Sequence, residues 1–411
     1  MYTFVHKPDL TQGTSNMRRF LPIALALASL AASAQTQLDR NSLAPTPPMG
    51  WNSWNKFACN VSEDLIKTVA DAIATNGMKD AGYQYIVIDD CWQVSRDADG
   101  NIVADTQRFP SGIKALADYV HAKGLKFGIY SDAGTKTCAG RPGSQGHEYQ
   151  DALQYAKWGV DYLKYDWCNT GTRNAEEAYT TMSQALLSTG RPIVFSICEW
   201  GTNKPWLWAK GIGNLWRTTG DIQDRWKGKQ EWKPGDCCNY GVVDIADFNA
   251  NLGAFAGPGH WNDLDMLEVG NGGMTIPENR AHFSLWSLLA APLIAGNDVR
   301  SMTPDIKEIL TNKEVIAINQ DPLGRPGRRI RRDGDLEVWG RQLQDGGRAI
   351  LLFNRSQAPA DITITWEELG YPAHVPAKLR DLWQHKDLGS TTAKYTANVA
   401  PHSVVMLRMM P

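Results

Sequence analysis

Eight short apolar runs, each ending on polar, acidic or aromatic residues, constrain this chain more than any other feature. They are PPMGWNSW (47–54), YIVIDDCW (85–92), LKFGIYSDAG (125–134), VDYLKYDWC (160–168), RPIVFSICEW (191–200), NLWRTTGDI (214–222), HWNDLDML (260–267) and PLIAGND (292–298). Helix-length segments separate most of them. Leu65, Val69 and Ile73 recur at helical spacing, as do Ile113, Leu116 and Val120 ahead of the stop at Gly124, and 147–158 is helix-like. Strands alternating with helices predict a parallel sheet. Eight of them over roughly 250 residues match a (β/α)8 TIM barrel, in which chemistry sits at the C-terminal strand ends. A doubly wound open sheet is the rival, but no G-x-G-x-x-G follows an early strand. After about Gly324 the helix signals fade and DLEVWGRQL, RAILLFNRS, ADITITW and HSVVMLRM read as short strands between turns. The expected organisation is therefore an α/β barrel over 45–324 and a small antiparallel β-sandwich domain over 325–411.

The N-terminus has the grammar of a signal peptide. From Met17, Arg18 and Arg19 precede an apolar run from Phe20 to Leu30, and Ala32-Ser33-Ala34 closes it with small residues. The run is too short for a comfortable membrane span. The mature chain is expected to begin near Gln35, in a periplasm or outside the cell, with residues 1–34 as leader and possible N-terminal extension. Seven cysteines agree with an oxidising compartment, and none lies in C-x-x-C or a Cys/His zinc pattern. The formal net charge of −2 argues against electrostatic capture of nucleic acid or anionic membrane.

The chemistry gathers at the ends of the runs. Side chains alternate along a strand, so Lys164 and Asp166 share one face and Leu163 and Tyr165 the other. Lys164 is expected to stabilise ionised Asp166 and lower its pKa, which suits a nucleophile; a self-satisfied buried ion pair is the plainer alternative. Arg217, Thr219 and Asp221 repeat the arrangement. Asp221 fits a proton donor if burial and a negative neighbour raise its pKa, or else a helix N-cap. Asp89 and Asp90, adjacent carboxylates where a strand ends, suit sugar hydroxyls better than a metal, which wants further hard ligands and often histidine. Trp51, Trp54, Trp92 and Trp200 flank these acids, as sugar platforms or as core.

Together MGWNSWNKFACN, IDDCW, GIYSDAGTKTCAGRPGS, YLKYDWC, CEWG, WRTTGDI and WNDLDML resemble the α-galactosidases of glycoside hydrolase family 27, from about Pro47 to Asp321. The resemblance implies a retaining, exo-acting mechanism, no metal or organic cofactor, and α-galactoside substrates. By it Asp166 takes the nucleophile position and Asp221 that of the general acid/base. Asp89, Asp90 and Lys164 would bind galactose hydroxyls, Trp54 would pack on the sugar, and Tyr130, Arg217, Asp265 and Met266 would complete the pocket. It also implies disulfides Cys138–Cys168 and Cys59–Cys91. Cys198 lacks the partner that animal members have, whose place Gly213 takes, and Cys237 and Cys238 match nothing, leaving a vicinal disulfide or free thiols open. Glu199 is expected to face the sugar's 2-hydroxyl and clash with an acetamido group, which places α-galactose ahead of the related α-N-acetylgalactosaminidases. A catalytically dead galactose-binding protein would need neither Asp166 nor Asp221. A metal-dependent hydrolase would use Asp89, Asp90 and Asp265 as ligands.

Overall fold

All eight apolar runs form strands of one sheet: β1 (Met49–Asn52), β2 (Tyr85–Val87), β3 (Lys126–Asp132), β4 (Tyr162–Asp166), β5 (Val194–Cys198), β6 (Leu215–Arg217), β7 (Trp261–Asp263) and β8 (Leu293–Ala295). The computed structural model describes residues 39–231 and 238–411, so the leader at 1–34 and Cys237 lie outside the described residues. Neighbouring strands are parallel in the order β7-β6-β5-β4-β3-β2-β1-β8. Past β7 the chain returns to the sheet at Leu267, whose amide donates to Ile294 O at 2.7 Å and whose carbonyl accepts from Gly296 N at 3.0 Å. That bridge joins the two ends of the sheet. Most strands stop sooner than the apolar runs did, because the chain leaves the ladder where the polar residues begin.

Six helices alternate with the strands: α1 (Glu63–Thr75), α2 (Gly112–Ala122), α3 (Glu148–Trp158), α4 (Ala175–Ser188), α5 (Val242–Asn249) and α6 (Ile276–Leu288). Ser62 caps α1 by accepting from Leu65 N, and a reciprocal Thr275–Glu278 capping box opens α6. The stripe Leu65, Val69 and Ile73 is buried, as periodicity predicts, and so is Ile113, Leu116 and Val120. The β5–β6 crossover departs from the ideal, with one 3-10 turn at Pro205–Leu207 and no α-helix.

Along each strand the inward-facing side chains change character from bottom to mouth. Tyr85, Val87, Tyr162, Val194, Leu215 and Trp261 form an apolar cluster at the base. Two or four residues on, with the same parity, come Asp89 after β2, Lys164 and Asp166 on β4, Arg217 on β6 and Asp265 after β7. Gly128 of β3 leaves room in the base layer, where an added Cβ would sit 2.7 Å from Val87 and 3.2 Å from Tyr162. The outward residues Leu163, Tyr165, Phe195, Ile197 and Trp216 pack under the helices in the main core.

After α7 (Pro304–Thr311) and α8 (Lys313–Asn319) come eight antiparallel strands: β9 (Arg328–Asp333), β10 (Leu336–Gln342), β11 (Arg348–Asn354), β12 (Ala360–Thr365), β13 (Ala377–Asp381), β14 (Lys386–Thr391), β15 (Lys394–Val399) and β16 (Ser403–Met410). Six form a sheet in the order β9-β10-β11-β16-β13-β14, and β12 pairs with β15. One face of the larger sheet places Trp339, Leu351, Phe353 and Met406 in the barrel's core. The other face buries Val338, Ile350, Leu352 and Leu407 with Ile362, Ile364 and Trp366. The sequence pattern showed β10, β11, β12 and β16; the other four carry mostly polar or charged residues. Among the described residues no helix is long and apolar enough to cross a membrane.

Candidate active site

The loops after the first seven strands surround a cavity of about 960 Å³. Its wall includes Trp54 after β1, Asp89 and Asp90 after β2, Tyr130 of β3, Lys164 and Asp166 of β4, Trp200 after β5, Arg217 and Asp221 of the β6 run, and Asp265 and Met266 after β7. Ten of the eleven candidate catalytic and sugar-binding residues therefore meet in one place. Glu199 is the exception.

Asp89 is buried at the centre of a polar lattice. Its Oδ2 accepts from Lys164 Nζ at 2.8 Å and Asn52 Nδ2 at 2.7 Å, and its Oδ1 accepts from Asp90 N at 2.9 Å. Asp90 accepts from Cys91 N at 2.6 Å and Ala139 N at 2.9 Å, and burial raises its pKa. Burial works against the Lys164 charge, but Asp89 and further carboxylates overcome it and hold the ammonium well above its usual pKa. Arg217, buried behind the opposite wall, donates to Asp221 Oδ1 at 3.0 Å, Asp265 Oδ2 at 2.8 Å and Thr219 O at 3.1 Å.

Asp166 accepts from Tyr130 Oη at 3.1 Å and from Trp167 N at 3.0 Å. Burial pushes its pKa up to about 7; Lys164 pulls it down, while Asp221 and Asp89 add to the rise. This corrects the expectation of a low value. Lys164 acts in the expected direction, but its ammonium sits on Asp89 and desolvation of Asp166 outweighs it. Asp221, expected to be buried, is not: its side chain is 41% exposed and paired with a cation.

The Glu199 expectation is overturned. Ser196 and Cys198 face the barrel interior, so Glu199, one residue on, faces away. It is fully buried behind the wall, where Oε2 accepts from Asn203 N at 2.6 Å and Asn203 Nδ2 at 2.9 Å and Oε1 has no partner. Burial lifts its pKa to about 7. Trp200 and Gly201 then take left-handed conformations, φ +57° and +74°, and the Trp200 indole lines the cavity wall in its place. Asp265 (φ +75°), Cys91 (φ +78°) and Asn169 (φ +53°) are similarly placed just past strand ends. Such residues store about 1–3 kcal/mol each and persist only where neighbours over-determine them.

Of the tryptophans, Trp51 and Trp92 are core: both are fully buried and donate to the carbonyls of Asn297 and Tyr130. Trp54 and Trp200 reach the cavity, as does Trp167. Cys59–Cys91 ties the loops after β1 and β2, and Cys138–Cys168 those after β3 and β4. Cys198 is a free buried thiol. Sequence reasoning passed over Asn52, Trp167, Asp132 and Glu268, although each lies inside or beside a quoted run. Glu268 is a buried wall residue held by Asn55 and Asn271, and burial lifts its pKa to about 8. The parity of Tyr130 and Lys164 points to Asp132, and the sequence holds the signal for the others only as proximity.

Seven carboxylates and four cationic side chains line the cavity. Such a surface is rich in acceptors and suits a ligand that offers many hydroxyl donors. It suits a divalent ion poorly, because Asp89 and Asp265 are each already paired with a cation. Asp132, Cys138, Asp166 and Cys168 also cluster, but the two sulfurs are bonded to each other and offer no thiolate.

Residues 46–321 match the family described as alpha galactosidase A, and residues 333–409 match the alpha galactosidase C-terminal beta sandwich domain. The chain is 52% identical to alpha-galactosidase A of Cellvibrio japonicus over 408 residues, covering 96% of this chain and 100% of that one. Among solved structures, alpha-galactosidase I from Mortierella vinacea superimposes with a TM-score of 0.87 at 43% identity, covering 90% of this chain and 98% of that one. The Saccharomyces cerevisiae α-galactosidase with raffinose gives 0.86 at 34% identity, covering 91% and 99%. With the barrel, the trailing sandwich and the acidic mouth all in place, the chain belongs to the α-galactosidases of glycoside hydrolase family 27.

Proposed function

We propose that this chain removes terminal α-D-galactosyl residues with retention of configuration, using Asp166 as nucleophile and Asp221 as general acid/base. One observation carries the assignment: two carboxylates enter a single cavity from β4 and β6 in opposite environments. Asp166 is buried and fixed by Tyr130 and Trp167, as an attacking group must be. Asp221 is partly exposed, where it can give a proton to a departing oxygen and later take one from water. Retaining pairs lie about 5–5.5 Å apart. In the first step an Asp166 oxygen bonds to C1 as the glycosidic bond breaks, and the leaving oxygen takes the Asp221 proton. In the second step Asp221 deprotonates water, which attacks C1 as the bond to Asp166 breaks, releasing α-galactose and returning Asp166 as a carboxylate.

Asp89, Asp90 and Lys164 are positioned to hold ring hydroxyls, Trp54 to pack on the sugar, and Arg217, Asp265 and Met266 to complete the opposite wall. The cavity is larger than one sugar ring requires, and raffinose in the yeast relative supports an oligosaccharide substrate. The leader grammar at 1–34 supports export. Both Asp166→Asn and Asp221→Ala test the roles. Asp166→Asn should lose all turnover. Asp221→Ala should still form a glycosyl-enzyme from activated aryl galactosides, and added azide should release α-galactosyl azide. A β-azide product means the roles are reversed. Comparing aryl α-galactoside with its N-acetylgalactosamine counterpart decides the sugar, and loss of activity after EDTA treatment would revive the metal reading.

A further inference from the structure

The arginines of the C-terminal sandwich fall into two groups. Arg329, Arg331, Arg332, Arg355, Arg380 and Arg408 each form an ion pair with a carboxylate. Arg325, Arg328, Arg341 and Arg348 form none among the described residues, and all four line one cavity of about 280 Å³. It lies where β9, β10 and β11 meet the turn Glu367–Leu369, and it shares no residue with the catalytic cavity. The one acid on its wall is already engaged: Glu368 Oε1 accepts from Arg331 Nε and Oε2 from Thr365 N, each at 2.8 Å.

Strand register gathers these cations. Arg328 stands opposite Gly340 across the β9–β10 ladder, and Arg348 opposite Gln342 across β10–β11. Gly340 lets Ile330 and Leu369 close an apolar wall, since a Cβ there would stand 2.6 Å from Ile330 and 3.2 Å from Leu369. Arg325 donates to Gln342 Oε1 at 3.0 Å, and Arg348 is oriented by Gly346 O at 2.7 Å and Gly347 O at 3.0 Å. The Arg328 side chain has no partner among the described residues. Arg341 is buried: Nη1 donates to Ser287 O at 2.9 Å and Nε has no partner. Burial brings its pKa down to about 10, with Asp321 alone opposing. A guanidinium carries five N–H donors, so most of those around the cavity are unused. Like charges gathered there repel one another, and a desolvated guanidinium without a carboxylate is costly, so an anion in the cavity relieves both.

We propose that this cavity is a second saccharide site, selective for a sugar that carries an anionic group, carboxylate or phosphate. Guanidinium forks match the paired oxygens of either group. The cavity is larger than a bare oxyanion, and Pro326, Ile330 and Leu369 offer apolar surface to the C–H face of a pyranose ring. The site takes no part in hydrolysis and tethers the chain to acidic glycans, so its failure leaves the galactosidase reading untouched.

Calorimetric titration of the full chain with glucuronate, glucose 6-phosphate, inorganic phosphate and glucose, at fixed ionic strength, tests the proposal. One acidic sugar should bind per chain, at least tenfold more tightly than glucose, and which of the two binds tells carboxylate from phosphate. Arg325→Gln with Arg328→Gln should weaken that binding at least tenfold and leave Tm and the kcat/KM for an aryl α-galactoside unchanged. Should the double variant melt early, Arg328→Gln alone takes its place, since that side chain has no partner to lose. Absence of binding, binding unmoved by the variant, or competitive inhibition of galactoside hydrolysis by the acidic sugar overturns the site. Inorganic phosphate binding as tightly as glucose 6-phosphate overturns its selectivity for a sugar.

Discussion

Replacing Glu199 with glutamine should stabilise the protein at alkaline pH and leave its sugar preference intact. Glu199 sits behind the cavity wall without a cation, with one oxygen bonded to Asn203 and the other without a partner. Burial raises its pKa from 4.5 to about 7. A raised folded-state value means its contribution to stability is fully present below pH 4.5 and is lost as pH rises through about 7. Above that, the folded chain carries a buried charge that the unfolded chain carries in water. A lift from 4.5 to about 7 corresponds to about 3 kcal/mol at pH 8. Glutamine has the same shape: its Oε1 accepts the Asn203 bonds and its amide takes the place of the partnerless oxygen. A chain of this length melts with roughly 0.8 kcal/mol per degree, so Glu199→Gln should raise Tm by about 4 °C at pH 8 and by under about 1 °C at pH 4. The same variant should keep the ratio of kcat/KM for α-galactoside and α-N-acetylgalactosaminide within about threefold, below 1 kcal/mol of discrimination. An equal Tm gap at both pH values refutes the buried-charge account, and a tenfold change in the ratio refutes the placement of Glu199 away from the sugar.

Lys164→Met leaves Asp89 without its cation and should cost about 3–5 kcal/mol in urea unfolding. Because Lys164 lowers the Asp166 pKa, its loss should also move the acidic limb of kcat/KM to higher pH; a fixed limb contradicts the coupling. The Cys138–Cys168 bond spans 30 residues, so Cys138→Ser with Cys168→Ser should lose about 3.5 kcal/mol, read as a lower unfolding midpoint. Trp200→Ala should raise KM for galactosides about tenfold, near 1.4 kcal/mol of binding, with Tm little changed. A large drop in Tm at unchanged KM assigns the indole to packing.

The barrel was legible because its constraint repeats. Each of eight runs had to be apolar where it crosses the sheet and polar where it leaves, and all eight became strands. The trailing domain was legible only in part. β10, β11 and β16 bury apolar residues on both faces and stand out as runs such as AILLFN. By contrast β9, β14 and β15 sit at or near edges, where RRIRRD, KDLGST and KYTANV satisfy the ladder with side chains in water. Their strand character comes from partners distant in sequence, which no local pattern displays.

The errors at the site share one cause: parity was applied along the runs and dropped at their ends. On β4 it correctly turned Lys164 and Asp166 inward. On β5 the same rule turns Ser196 and Cys198 inward and sends Glu199 outward, yet the last acid of the run was read as facing the sugar. On β3 it turns Tyr130 inward and Asp132 with it, yet only Tyr130 was taken up. Backbone conformation sets a further limit. Trp200 and Asp265 keep the inward parity of Cys198 and Trp261, but both lie past the strand ends in left-handed conformations, φ +57° and +75°, that no residue pattern displays. The pKa of Asp166 shows the same limit: the neighbouring lysine is visible in YLKYD, but the desolvation that outweighs it comes from every wall of the barrel at once. Residue type and spacing therefore place the charges of such a site, and their protonation follows from burial that only the closed barrel supplies.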